Sequence, residues 1–172
     1  MTEDKKYMFK KVEGELYGYY RDLKKKKMVE DEINFLNRML GAIDHKIKTC
    51  NITIDADIKG VEIKESVQTS PDGSSAVEKA IERGITQLEK EQGKRIERLN
   101  KAEAELRNIE YKIHKMQSII NMFNKDIQQF IEYKYKLEYS NQELADKFHY
   151  SLKTIITKRD KIVEEIIKFR MI

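Results

Sequence analysis

Residues 138–162 read EYSNQELADKFHYSLKTIITKRDKI, and two helix starts stand in that one segment. Ser140, Asn141, Gln142 and Glu143 form an S-x-x-E box. In such a box the serine oxygen accepts from an amide three residues on, and the glutamate accepts from the serine amide, so a helix is expected from Asn141. Leu144, Ala145 and Phe148 fall on one narrow stripe of it, with Ala145 small enough for a second helix to cross closely. His149 and Tyr150 break the pattern, and Ser151 is placed to cap another helix from Leu152. Helices joined by so short a turn meet at a steep angle, which is a helix-turn-helix arrangement.

At 100° per residue, the second helix carries Leu152, Ile155, Ile162, Ile166 and Phe169 on one side, flanked by Ile156, Val163 and Ile167. Thr154, Thr157, Lys158 and Lys161 lie opposite, with Lys153 at the edge and no carboxylate on that side before Glu164 and Glu165. Hydroxyls and cations without acids suit phosphates and base edges in a major groove, the first turns lying nearest the bases. The expected DNA-contacting set is Ser151, Lys153, Thr154, Thr157, Lys158 and Lys161, and the ordinary alternative is a solvated helix face. Arg159 falls among the apolar positions and needs an acid partner, for which Glu143 and Asp146 are candidates, or a phosphate at the rim.

Such a pair cannot bury its own stripe. The segment Asn124–Leu137 offers Ile127, Phe130, Ile131 and Leu137 as the third helix of a unit spanning about 116–169. Upstream, positions 81, 85, 88, 92, 95, 99, 102, 106, 109, 113, 116, 120, 123, 127 and 130 alternate in steps of four and three and are mostly apolar, a heptad seam. Gln92, Gly93 and Arg95 interrupt it, with Ile96 offering a one-residue slip, so strain or a bend is expected there. Phe9, Val12, Leu16, Tyr19 and Leu23 make one further stripe, Ile33, Leu36, Leu40, Ile43 and Ile47 another, with Lys24–Lys27 between them. That lysine run reads as solvated, and Tyr17, Tyr19, Tyr20, Tyr133 and Tyr135 as packing residues with wet hydroxyls.

From 51 to 75 the helical period fades into partial alternation and a Pro-Asp-Gly turn, read as a loop or linker with a short hairpin, before Ser75 and Glu78 form a second capping box. The expected organisation is a helical arm over 1–50, the linker over 51–75, a long charged coiled-coil-like helix over 76–123, and a helix-turn-helix DNA-binding domain over 124–172. The seam must be covered, either by the N-terminal helices folding back or by a second copy in a homodimer, which would also double contacts on spaced half-sites.

Composition agrees with an all-α class: 37% charged against 40% apolar residues, one Pro and no Trp favour long solvated helices over a sandwich or barrel. The formal charge of +4 is too small to identify a partner unless gathered on one face. Cys50 is the sole cysteine, so neither an internal disulfide nor a thiolate zinc site is available. The start MTEDKKYMFKK is polar, and no run approaches the roughly 18 apolar residues of a spanning helix, so a soluble intracellular chain without membrane contact is expected. His45, His114 and His149 are scattered, and Gly93-Lys94 lacks the upstream glycine of a phosphate loop. Neither catalytic, cofactor nor metal residues are expected, and the chain is not read as an enzyme.

Through Glu143, Leu144, Ala145, Ser151, Thr154 and Ile155 the C-terminal segment resembles region 4 of sigma-70-type factors, in which an E-[IL]-A helix precedes a serine-capped recognition helix. With its YYRDLKKK-containing N-terminal helix, VQTSPDGSS loop and long charged helix, the whole chain resembles the phage late-gene transcriptional regulators of Gram-positive bacteria of the RinA and ArpU type. The resemblance implies promoter-region binding of double-stranded DNA in the bacterial host cytoplasm, at the nucleoid, with host RNA polymerase as a further partner. It lacks a segment matching region 2, so unaided promoter melting is not expected. A small terminase-like DNA packaging protein and a coiled-coil adaptor without DNA affinity are the competing readings.

Overall fold

The computed structural model describes residues 3–50 and 76–170, and every regular element among them is helical. Helix α1 spans Glu3–Lys48 and α2 spans Ala76–Asn121. Next come α3 (Lys125–Ile131), a π-helical turn (Glu132–Lys136), α4 (Asn141–Phe148) and α5 (Leu152–Arg170). The chain is all-α. The linker and hairpin expected over 51–75, and the cap at Ser75, lie outside the described residues.

Two compact units form, one from Met1–Val29 with Glu105–Ile172 and the other from Glu30–Ala104. In the first, Val12, Leu16 and Tyr19 of α1 join Met116, Ile119, Ile120 and Phe123 of the α2 end in one core with Phe130, Ile131, Tyr135, Leu144, Ala145, Ile155, Ile162, Val163 and Ile166. The Tyr19 hydroxyl donates to Gln117, Lys26 Nζ pairs with Glu110 at 2.8 Å and Lys25 Nζ with Glu105 at 2.5 Å, so α1 ascends as α2 descends. In this unit the seam is therefore covered within the chain, which removes the packing argument for a second copy.

The lysine run does not divide α1. The helix continues through it, with Val29 5% exposed just beyond. Lys26 lies half-buried because a lysine stem can lie along apolar surface while its ammonium reaches an acid, here Glu110.

In the second unit, Leu36 and Ile43 of α1 and Ala102 of α2 are buried. The expected disturbance at Gly93 does not interrupt α2, which runs unbroken through it. Gln92 and Arg95 keep their seam positions half-buried while Ile96 stays 44% exposed, so the register does not slip. Arg95 remains satisfied by a pair with Glu91 one turn back. The hydrogen bond from Arg95 is the main reason the Glu91 carboxyl sits below its ordinary range, with Arg95 and Lys46 adding smaller electrostatic contributions.

The α2 helix ends at Asn121, so the last seam positions, Ile127 and Phe130, belong to α3. Asn124 caps α3 by accepting from the Ile127 amide at 2.9 Å. Leu137, expected in the core, is 49% exposed, because the π-helical turn directs Tyr135, 1% exposed, inward instead.

Candidate nucleic-acid interface

Local chemistry fixes both ends of the turn between α4 and α5. Ser140 Oγ accepts from the Glu143 amide at 3.2 Å while Glu143 Oε2 accepts from the Ser140 amide at 2.7 Å, completing the capping box. The Ser140 amide donating to the carboxylate is the main reason the Glu143 carboxyl sits below its ordinary range, with the Ser140 hydroxyl adding to it. His149 ends α4 in the left-handed region at φ 54°, with its amide bonded to the Ala145 carbonyl. Ser151 Oγ accepts from the Thr154 amide at 3.1 Å, and the two hydroxyls meet at 2.7 Å. The residues that carried the family resemblance thus have local duties: Glu143 and Ser151 cap, Thr154 donates its amide to the Ser151 cap, and Leu144, Ala145 and Ile155 are buried.

Five of the six expected contact residues, Lys153, Thr154, Thr157, Lys158 and Lys161, line one open depression on α5, and Ser151 is exposed at its head. Among the described residues, neither Lys153 nor Lys161 has a carboxylate partner or a ring beneath it. Both threonine hydroxyls are committed locally, Thr154 to Ser151 and Thr157 as donor to the Lys153 carbonyl at 2.9 Å. That leaves their methyls and spare lone pairs for contacts outward.

Lys158 departs from the expected outward placement. It is half-buried, with its ammonium 5.5 Å from the Phe130 ring centre, 5.6 Å from Phe148 and 5.7 Å from Tyr150. The apolar side differs too. Leu152 is 44% exposed and Phe169 38%, whereas Val163, placed on the flank, is fully buried. The first buried α5 residue is Ile155.

Arg159 is paired, as a half-buried guanidinium requires, but not with Glu143 or Asp146. Its Nε and Nη2 donate to Asp160 Oδ1 at 3.0 and 2.8 Å, Glu13 Oε1 lies 3.7 Å away on α1, and the guanidinium stands 5.3 Å from the Phe9 ring centre. Burial alone would weaken its hold on the proton, and the bonds and charges of Asp160 and Glu13 outweigh it. Glu13 also accepts from the buried Tyr135 hydroxyl at 3.3 Å. Burial chiefly, with the Glu13 charge adding, raises the pKa of Tyr135, so the phenol stays neutral. This network holds α1, the π-helical turn and α5 together and is structural in character.

Among the described residues no cluster of three or more His, Cys, Asp or Glu is arranged to hold a metal ion, and no helix is long and apolar enough to cross a membrane. No family model, no curated protein and no solved structure matches the chain.

Proposed function

We propose that the chain is a sequence-specific transcription regulator that binds double-stranded DNA through the opening turns of α5, in the manner of phage late-gene activators of the RinA and ArpU type. The observation that carries this reading is the depression lined by Lys153, Thr154, Thr157, Lys158 and Lys161, an acid-free surface on which, among the described residues, no lysine has an acid partner and Lys153 and Lys161 also have no ring beneath them. Phosphate contacts from Lys153 and Lys161 supply affinity and register, and the threonines approach the base edges. Set on a capped helix, the face has its backbone already ordered, so what binding orders is its side chains. The coiled-coil adaptor reading loses ground because α1 already covers the α2 seam in the same unit.

Function as an activator requires contact with host RNA polymerase beside the bound site. Genome-wide mapping of bound DNA, combined with capture of polymerase from cells expressing the protein, tests this. One enriched promoter region with polymerase recovered is the expected result. Enrichment at a packaging site together with a large terminase subunit overturns it.

A further inference from the structure

We infer that Lys158 is a positioning residue that pins the turn between α4 and α5, and that it is not one of the phosphate contacts. Its role in recognition rests on the DNA-binding reading above; the pin itself does not. Three rings surround its ammonium, and each comes from a different part of the unit: Phe130 from α3, Phe148 from the last position of α4, and Tyr150 from the turn. All three lie within the roughly 6 Å at which a cation is drawn to a ring face. Among the described residues no carboxylate pairs with Lys158, so the ring faces are what its charge meets.

The rings also support one another. Phe148 and Tyr150 stack with centres 6.5 Å apart and planes 11° apart, and Phe148 lies 5.8 Å from Phe130. Between the stacked pair sits His149, in the left-handed region that a residue with a side chain adopts only at some cost. The His149 and Tyr150 amides both donate to the Ala145 carbonyl, which closes the end of α4 locally. An ammonium reaching back from the second turn of α5 to the end of α4 adds a tie between the two helices. Phosphate binding is thereby left to Lys153 and Lys161, while Lys158 sets the angle at which they are offered.

The test uses the full chain and two kinds of readout. In NMR spectra without DNA, ring currents should move the Lys158 ε-methylene protons upfield of those of Lys153 and Lys161. Lys158→Met should speed amide exchange at Tyr150 to Thr154, and Lys158→Arg, which keeps the cation, should restore it. In duplex titrations Lys158→Met should lose roughly threefold to tenfold in affinity with an unchanged salt slope. Lys161→Met should instead lower that slope by about one. Unshifted Lys158 methylenes overturn the pin, as does a Lys158→Met slope lower by about one with exchange unaltered. Absence of duplex binding by the wild type would sink the DNA reading alone, because the methylene shifts and exchange rates decide the pin without DNA.

Discussion

At the residue scale, single hydrogen bonds set where the C-terminal helices begin. Ser140 holds one end of the α4 capping box, and we predict that Ser140→Ala lowers stability by about 1 kcal/mol, read as a fall in melting temperature. Glu143 holds the other end, and its carboxyl titrates below its ordinary range because it accepts from Ser140. A depressed folded value means that its stabilisation is present above the unfolded value and disappears as pH falls through the folded one. Melting curves taken from neutral to acid pH should thus show a shallower acid decline in Glu143→Gln than in the wild type; identical declines would show the bond to be without effect. Both serine caps were legible in the sequence, since a cap is chemistry between residues three apart. The role of Glu13 towards Arg159 and Tyr135 was not: Glu13 lies 122 positions from Tyr135, and helical periodicity carries no information across that separation. The same holds for Lys158, because a helical plot shows which side of α5 it leaves from but not where its flexible stem then goes.

At the element scale, heptad spacing placed the inward side of α2, and Gln92 and Arg95, read as interrupting the seam, stay half-buried on it. The lysine run between the two stripes of α1, read as solvated, is in part paired. The tetralysine segment is part of α1 because two of its ammoniums reach Glu105 and Glu110, a pairing that α1 alone cannot reveal. Gly93 was expected to weaken α2 by bending it. It lies exposed in the continuous helix, and a Cβ built there meets nothing within 4 Å. Its cost is then the backbone freedom glycine loses on folding, and we predict that Gly93→Ala stabilises the protein by about 0.5–1 kcal/mol. Chemical denaturation measures this, and a destabilised variant would mean that the glycine answers to a constraint other than helix propensity.

At the scale of the whole molecule, the unit containing the C-terminal helices is completed by the start of the chain. The residues of α3, α4 and α5 share their core with Val12, Leu16 and Tyr19, so of the two covers expected for the seam, the N-terminal helices or a second copy, the first is the one found in this unit. Leu16 is fully buried and Met28, on the same helix, is 70% exposed. We predict that Leu16→Ala costs about 2–5 kcal/mol, whereas Met28→Ala stays within about 0.5 kcal/mol of the wild type. Equal effects in urea denaturation would mean that α1 does not belong to that core. The candidate site was legible as a set of residues on one face of one helix, and the structure separates its two unpaired lysines from the ring-bound one. The central claim is that those two lysines meet DNA phosphates, and the most direct measurement is fluorescence anisotropy of a labelled duplex across a range of salt concentrations. Lys153→Ala and Lys161→Ala should each weaken binding and lower the slope of log affinity against log salt by about one, with helical content unchanged. Wild-type affinity and slope in both variants would contradict it.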